Sequence, residues 1–225
     1  MATTDFSGGA AARRLPIYLL LDTSGSMAGA PIEAVNRGVE LIHRELMNDP
    51  SAIETVYISV ITFASDAQQV FPLTELMAFK PPTLNAGGST SLGQALHMLA
   101  EDLDRSIRPN TATQKGDYKP LIFLLTDGMP TDTWEREADA IKNRAQKKVA
   151  NIIALGCGGG VDQAMLKRIT DNVLMMDSTN ADQISQFFKW VSQSIKTASV
   201  SAEKAGGGDA VAPLPTPPKE FMVVV

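Results

Sequence analysis

Short apolar runs alternate along this chain with longer stretches in which apolar residues recur every three or four positions. The apolar runs occupy residues 15–21, 56–63, 121–125, 151–155 and 173–176. Such runs are typical of strands that are buried on both faces of a sheet. The stretches with the longer period predict amphipathic helices at 31–47, 92–107, 134–148, 164–169 and 181–197. Strands that alternate with helices favour an α/β fold in which a mostly parallel central sheet has helices on both faces.

One predicted strand follows its neighbour too closely for a helical crossover. Residues 69–73 are β-prone and come shortly after the run at 56–63. Because a parallel connection needs about a dozen residues or more, these two strands are predicted to form an antiparallel hairpin. Pro72 is tolerated at a sheet edge, where its missing N–H leaves no hydrogen bond unmade. We therefore expect one antiparallel edge strand beside an otherwise parallel sheet.

The composition divides the chain into one domain and two terminal segments. Residues 1–12 are small and polar and predict a flexible N-terminus, and the domain follows at 13–198. Residues 199–225 form a Gly- and Pro-rich tail with an apolar C-terminal end. The prolines at 213–218 favour a stiff, extended spacer. We expect this spacer to hold residues 221–225 away from the domain as a docking segment for a partner or a second copy; a tail without any role is the alternative.

The bulk properties restrict the partners that the chain can have. Its formal net charge is −5, so it lacks the basic footprint of a nucleic-acid-binding protein. No apolar run approaches the roughly 20 residues of a membrane-spanning helix, and no membrane insertion is expected. The single cysteine, Cys157, excludes an internal disulfide and is typical of a reducing compartment. We therefore expect a cytoplasmic protein.

Polar side chains follow the first predicted strand at alternating positions. Asp22, Ser24 and Ser26 come directly after the run at 15–21. In open α/β sheets, ligands bind in the crevice beyond the carboxyl ends of the strands. One carboxylate and two hydroxyls form a set of hard oxygen donors, which suits Mg²⁺, Mn²⁺ or Ca²⁺ better than zinc. Taken alone, the spacing is equally compatible with Asp22 and Ser24 capping the helix that follows.

Two later loops carry the same kind of donor. Residues 87–93, with the sequence Gly-Gly-Ser-Thr-Ser-Leu-Gly, lead into the helix predicted at 92–107. The run at 121–125 ends in Thr126, Asp127 and Gly128. Together with the Asp-x-Ser-x-Ser segment, these loops resemble the von Willebrand factor A domain, in which they form a metal-ion-dependent adhesion site. The resemblance implies a Rossmann-like, doubly wound fold and a binding module rather than an enzyme.

The same resemblance implies which residues hold the cation and what the cation does. The metal ligands are expected to be Asp22, Ser24, Ser26, Thr90 and Asp127, and the cofactor to be Mg²⁺, or else Mn²⁺ or Ca²⁺. Ser89 interrupts the simplest Gly-Gly-Thr form of the second loop, so it is the alternative to Thr90. A protein partner is expected to supply an acidic side chain to the ion. Asp132 is expected either to support the site or to cap the next helix.

An enzyme is the alternative that these oxygen donors leave open. A Mg²⁺-dependent hydrolase or phosphotransferase of the aspartyl-nucleophile type also places an aspartate and the ion after its first strand. The pattern of such enzymes is Asp-x-Asp, whereas the second position here is Ser24. His43 and His97 both fall within predicted helices, so no base stands beside a nucleophile. We therefore expect no catalytic residues.

Four further segments point to one branch of the family. Residues 15–18, 31–36, 114–121 and 187–192 resemble the bacterial TerY-type proteins of tellurite-resistance and stress-response loci. This resemblance implies an adaptor in a phospho-signalling system, with a Ser/Thr protein kinase and a PP2C-type phosphatase as partners. It does not indicate which residue, if any, is phosphorylated.

Overall fold

The computed structural model describes residues 13–145, 151–204 and 214–224. Its strands are Leu15–Asp22 (β1), Val56–Phe63 (β2), Ala67–Glu75 (β3), Leu121–Thr126 (β4), Asn151–Cys157 (β5), Asn172–Met176 (β6) and Met222–Val224 (β7). Its helices are Ala30–Leu46 (α1), Pro50–Thr55 (α2), Leu92–Ser106 (α3), Glu135–Ala145 (α4), Gln163–Ile169 (α5) and Ala181–Lys204 (α6), and a short 3₁₀ helix spans Gly25–Met27.

The strands form one sheet in the order β3-β2-β1-β4-β5-β6-β7. The strands from β2 to β6 in this order are parallel, and β3 runs antiparallel to β2. The chain order reverses between β1 and β4, which lie side by side with Leu21 opposite Leu125. The loops that follow these two strands therefore meet at the carboxyl edge of the sheet, at the topological switch point where α/β proteins bind ligands.

Successive side chains of β1 enter two separate cores, as the predicted burial on both faces requires. Ile17 and Leu19 belong to the core on the face covered by α1, α2 and α6. Tyr18 and Leu20 belong to the core on the face covered by α3, α4 and α5. The predicted α/β fold with helices on both faces is confirmed, and every residue of β1 is buried.

Most predicted elements are present, with differences at their ends. The helix predicted at 181–197 continues to Lys204, so the domain boundary expected at 198 falls inside α6. The short helix α2 was not predicted; it begins at Pro50, and the Asp49 carboxylate caps it by accepting a hydrogen bond from the Ala52 N–H at 3.0 Å. The end of the helix predicted at 134–148, the N-terminal segment 1–12 and residues 205–213 of the tail lie outside the described residues.

The expectation that the apolar end of the tail stands away from the domain is wrong. β7 pairs antiparallel with β6, with Val223 opposite Leu174, so the sheet has two antiparallel edge strands instead of the one predicted. Phe221 is buried in the α1/α6 core, and the Trp190 indole Nε1 donates a hydrogen bond to the Pro215 carbonyl at 3.0 Å. The physical reason is burial: the aromatic ring leaves water, and β7 pairs the backbone groups along the edge of β6.

A buried ion pair anchors the opposite, amino-terminal edge of the sheet. Arg14, just before β1, donates through Nε to Asp117 Oδ1 at 2.8 Å and through a terminal nitrogen to the Ser106 carbonyl at 2.7 Å. The hydrogen bond from Arg14 to Asp117 raises the pKa of the guanidinium above its ordinary value. Asp117 also accepts from the Arg108 N–H. One carboxylate therefore fixes the loop between α3 and β4 to the start of the central strands.

We expect Asp117→Ala to destabilise the fold by roughly 3 kcal/mol, because it leaves the Arg14 charge without its partner in a buried position. Asp139→Ala is the matched control, since it removes a carboxylate that pairs with Arg168 at the exposed surface, where ion pairs contribute little. Urea unfolding measured for the three proteins tests this. Equal midpoints for the two variants would show that the Arg14 pair does not anchor the loop.

Candidate metal centre

Asp22 ends β1 and lies wholly buried at the carboxyl edge of the sheet. Its Oδ1 accepts a hydrogen bond from the Ser24 N–H at 2.8 Å. Its Oδ2 accepts one from the Thr126 hydroxyl at 2.6 Å. Because Thr126 ends the neighbouring strand β4, the carboxylate is held from both strands at the switch point. Sequence reasoning gave Thr126 no role, although its position directly before Asp127 at a strand end was the available signal.

The two serines of the first loop reach towards the second carboxylate. Ser24 Oγ and Ser26 Oγ lie 3.0 Å apart and share a hydrogen bond. The Ser26 hydroxyl donates to Asp127 Oδ1 at 2.6 Å. The 3₁₀ helix at Gly25–Met27 produces this arrangement by turning the chain tightly after β1. The side chains of Ser24, Ser26 and Asp127, which were predicted to share a site, are thus in direct contact.

Backbone hydrogen bonds join the first loop to the second. The Gly25 N–H donates to the Gly88 carbonyl at 3.0 Å, and the Gly87 N–H donates to the Thr23 carbonyl at 2.8 Å. Gly88 has a φ of +81°, and a Cβ on it would lie 2.3 Å from Ser65 Oγ. A side chain at this position would strain the backbone and would force Ser65 to move.

Thr90 is buried and attached to the third loop, whereas Ser89 is exposed. The Thr90 N–H donates to Thr131 Oγ1 at 3.1 Å, and the Thr131 N–H donates to the Thr90 carbonyl at 2.9 Å. The Thr90 hydroxyl lies 3.8 Å from the point where a Cβ of Gly128 would stand. It therefore faces the residue that follows Asp127, and this placement favours Thr90 over Ser89 as the hydroxyl donor.

Asp132 joins the third loop to the helix that follows the second loop. Its two carboxylate oxygens accept hydrogen bonds from the Gly93 N–H at 3.0 Å and the Gln94 N–H at 2.9 Å. Asp132 therefore caps α3 from the third loop, rather than the helix that follows it in sequence. Gly93 permits this approach, since a Cβ there would lie 2.2 Å from the Thr133 carbonyl oxygen.

The electrostatics of the site favour a positive charge. The pKa of Asp127 is raised above its ordinary value, mainly by burial and further by the charge of Asp22, and the Ser26 hydrogen bond offsets this only in part. The neighbouring Cys157 thiol is fully buried, and burial, with the charges of Asp127 and Asp22, raises its pKa. Two carboxylates held together in a desolvated place repel each other, and a bound cation removes that repulsion.

The donors present fit a hard divalent cation. They are carboxylate and hydroxyl oxygens, the ligands that Mg²⁺, Mn²⁺ and Ca²⁺ prefer. Among the residues that the structure describes, no group of three or more His, Cys, Asp or Glu side chains could hold a metal. A polar cleft of about 420 Å³ opens beside the site, lined in part by Thr23, Ser65, Gly87 and Gly88.

Both histidines lie on helices, as the sequence predicted. His97 is on the exposed face of α3 between Glu101 and Glu137. His43 is on α1, where its ring packs edge-on against Phe79 at 5.8 Å between centroids. None of the helices in the described part of the chain has the length and apolar character needed to cross a bilayer.

Comparison of the sequence with known proteins identifies one family. The model of the von Willebrand factor type A domain matches residues 17–190. A von Willebrand factor A domain-containing protein of Dictyostelium discoideum is 28% identical over 153 residues, which are 65% of this chain and 15% of that protein. The chain thus spans a small part of the length of this curated relative.

Comparison of the structure with solved structures shows the same fold. A von Willebrand factor type A protein from Catenulispora acidiphila aligns with a TM-score of 0.62 at 17% identity, over 83% of this chain and 43% of that chain. Proximal thread matrix protein 1 from the mussel byssus, solved with a zinc-occupied MIDAS motif, aligns with a TM-score of 0.56 at 20% identity, over 82% of this chain and 48% of the mussel chain.

The family model covers most of the chain, and the sheet order and the position of the loops at the switch point agree with it. The chain belongs to the von Willebrand factor type A domain family.

Proposed function

We propose that this chain is a metal-dependent protein-interaction module that holds one divalent cation through Asp22, Ser24, Ser26, Thr90 and Asp127. The observation that carries the proposal is the contact between Ser24, Ser26 and Asp127 beside the buried Asp22. Domains of this family are generally non-catalytic binding modules, and many bind divalent cations. The zinc-occupied motif of the mussel protein is further support for a cation here.

Each proposed ligand has a distinct part in the site. Ser24, Ser26 and Thr90 offer neutral hydroxyl oxygens, which leave the charge of the ion in place. Asp22 is held by the Ser24 N–H and the Thr126 hydroxyl, so it supplies a fixed negative charge at the base of the site. Burial disfavours the charge of Asp127 and raises its pKa, so the proposed cation would stabilise the fold by neutralising that charge.

The partner is proposed to supply a carboxylate. Two protein carboxylates formally balance the charge of a divalent ion. When Asp127 contacts the ion only through a water molecule, part of the positive charge of the ion is not neutralised. That charge attracts a carboxylate oxygen of the partner. The cleft beside the site provides room for the partner's chain around that oxygen. An acidic side chain on a protein partner is therefore the chemistry that this edge of the sheet would recognise.

The signalling context is proposed from the TerY-type resemblance alone. It implies an adaptor that works with a Ser/Thr kinase and a PP2C-type phosphatase in a bacterial stress or tellurite-resistance response. In the structure, two of the segments that carry the resemblance serve the fold: Asp117 anchors a loop, and Phe187 and Trp190 lie in the core. The choice of partner is thus to be tested directly, with purified kinase and phosphatase.

The enzyme alternative receives no support from the geometry. The position of its second carboxylate is held by Ser24, whose hydroxyl bonds Ser26. The nearest titratable thiol, Cys157, is buried with a raised pKa and is inert as a nucleophile.

Mg²⁺ is expected to raise the melting temperature of the wild-type chain, because a ligand at a hundredfold excess over its Kd stabilises the native state by about 2.7 kcal/mol. Thr90→Val keeps the shape of the side chain and removes its hydroxyl, so it should lose most of this rise. Ser89→Ala, one residue away and exposed, should keep it. Melting curves recorded with Mg²⁺, Mn²⁺, Ca²⁺ and Zn²⁺ in turn rank the ions by the rise in melting temperature that each produces. The reverse result for the two variants would move the hydroxyl ligand to Ser89, and equal shifts in all three proteins would place the ion elsewhere.

The effect of Asp127→Asn on the free energy of unfolding is expected to have opposite signs in the absence and in the presence of the metal. The raised pKa of Asp127 in the folded chain means that its contribution to stability is present below the ordinary value of 3.8 and is lost as pH rises through the folded pKa. At neutral pH in chelator, the Asn variant should therefore be more stable than wild type. In saturating Mg²⁺ it should be less stable, and below pH 3.8 the two metal-free proteins should converge. Denaturant titrations at both pH values measure this; a variant that is less stable in chelator at neutral pH contradicts the proposed repulsion.

Binding of the purified kinase or phosphatase to the immobilised chain is expected to need the ion and the first loop. Chelator should release the partner and Mg²⁺ should restore it. Ser26→Ala should weaken binding at least about tenfold, the effect of losing one interaction of 1.4 kcal/mol, whereas the exposed Ser89→Ala should not. Binding that persists in chelator would place the partner's contact outside the metal site.

A further inference from the structure

The second loop of the metal centre is reached through a long segment that is neither helix nor strand. Residues 76–91 connect β3 to α3, and Gly87 and Thr90 lie near the end of this segment. Pro81 and Pro82 lack an N–H, so the middle of the segment cannot pair fully as a strand. Connections of this length are uncommon in compact domains and are usually functional. The position of the second loop therefore depends on what holds the residues before it.

One side chain of α1 holds this segment by its backbone. Asn36 Nδ2 donates a hydrogen bond to the Leu84 carbonyl at 2.9 Å, and Asn36 Oδ1 accepts one from the Leu84 N–H at 2.8 Å. Within the described part of the chain, these are the hydrogen bonds that the backbone of residues 80–86 makes. The Leu84 side chain is buried in the α1/α6 core. The segment is thus fixed at Leu84, shortly before Gly87.

The chemistry of this contact favours an amide at position 36. A side-chain amide has a donor and an acceptor side by side, so it can pair with the N–H and the C=O of one residue. An aliphatic side chain would leave both backbone groups of Leu84 without this partner, beside the buried side chain of the same residue. Asn36 also ends the segment 31–36, to which the metal ligands assign no role. The contact with Leu84 accounts for the polar end of that segment.

The helix that holds the second loop also carries the first loop at its start. The 3₁₀ helix at Gly25–Met27 leads directly into α1. The Gly87 N–H then joins the two loops by its hydrogen bond to the Thr23 carbonyl. Away from α1, residues 83–85 line the polar cleft of about 420 Å³. Without the contact to Asn36, the cleft would leave these residues room to move away from the helix.

We propose that Asn36 is a positioning residue for the metal centre, which places the second loop for Thr90 to meet the ion by holding Leu84 on α1. This inference rests on the proposed cation site and adds to it a residue outside the ligand set. Loss of the contact lets the chain populate states in which the second loop is displaced. The apparent affinity for the ion then falls in proportion to the fraction of molecules in which the loop is in place.

The first test compares Mg²⁺ affinities of full-length chains by calorimetric titration. Asn36→Leu keeps the approximate size of the side chain and removes both hydrogen bonds. Its Kd should be at least about tenfold weaker than that of wild type, the result of a loop that is in place in one molecule of ten. Asn48→Leu is the matched control and should bind as wild type does, because the exposed Asn48 amide donates to the Arg44 carbonyl at the end of α1.

A second control separates positioning from stability. Asp117→Ala lowers stability at the opposite edge of the sheet, where Asp117 pairs with Arg14, and should keep the wild-type Kd. Equal weakening in Asp117→Ala and Asn36→Leu would overturn the proposal, because the affinity would then follow stability alone. A wild-type Kd in the folded Asn36→Leu chain would also overturn it. Where Asn36→Leu does not fold by circular dichroism, Asn36→Asp replaces it, since it keeps an acceptor for the Leu84 N–H.

Hydrogen exchange in chelator tests the position of the loop without the metal. The Phe123 amide, in the central strand β4, reports global unfolding, and the Gly87 amide reports the junction of the two loops. The ratio of the Gly87 rate to the Phe123 rate should rise in Asn36→Leu and stay unchanged in Asn48→Leu. An unchanged ratio in Asn36→Leu overturns the proposal. If wild type binds no Mg²⁺, the proposed cation site fails, and this ratio alone decides whether Asn36 positions the loop.

Discussion

The burial of two carboxylates, Asp22 and Asp127, is the constraint on which the carboxyl edge of the sheet depends: burial is the main cause that raises the pKa of Asp127, and the charge of Asp22 adds to it. Their strands are adjacent because the chain order reverses at this point, so the parallel sheet itself brings the like charges together. Each carboxylate accepts hydrogen bonds. Asp22 accepts from the Thr126 hydroxyl and the Ser24 N–H, and Asp127 accepts from the Ser26 hydroxyl. These donors hold the oxygens in place without cancelling the charge. The fold thereby carries a local electrostatic cost, which the proposed cation would offset on binding.

The apolar runs predicted the five parallel strands well because these strands are buried on both faces and show no polar alternation. The same runs located the loops, since polar residues at the carboxyl ends of parallel strands must share one edge. The capping of α3 by Asp132 was beyond such reasoning, because it joins residues 39 and 38 positions apart. The prediction for the tail was wrong for a related reason. A Pro-rich segment is extended whether it is free or docked. Its docking depends on contacts with Trp190 and Phe187, which are distant in the sequence.

The two ends of the sheet differ in whether their buried charges are paired. At the amino-terminal edge, Arg14 and Asp117 neutralise each other, and the Tyr18 hydroxyl donates to Asp102 at 2.9 Å. Every buried charge named there has a partner within the chain. At the carboxyl edge the negative charge is left in excess. The named charges are thus paired at the amino-terminal edge, whereas the unpaired carboxylates lie in the loops of the proposed metal site.

The capping of α3 from the third loop has a consequence for recognition. Asp132 ties the third loop to the helix, and the paired hydrogen bonds of Thr90 and Thr131 tie it to the second loop. Because the first loop is also joined to the second, hydrogen bonds tie all three loops together before any partner arrives. A partner that docks on such a face has little backbone freedom to freeze, so the entropy lost on association falls mainly on the partner's own side chains. Selectivity at this surface would then depend on the shape that the loops have before binding, and not on a rearrangement of the loops.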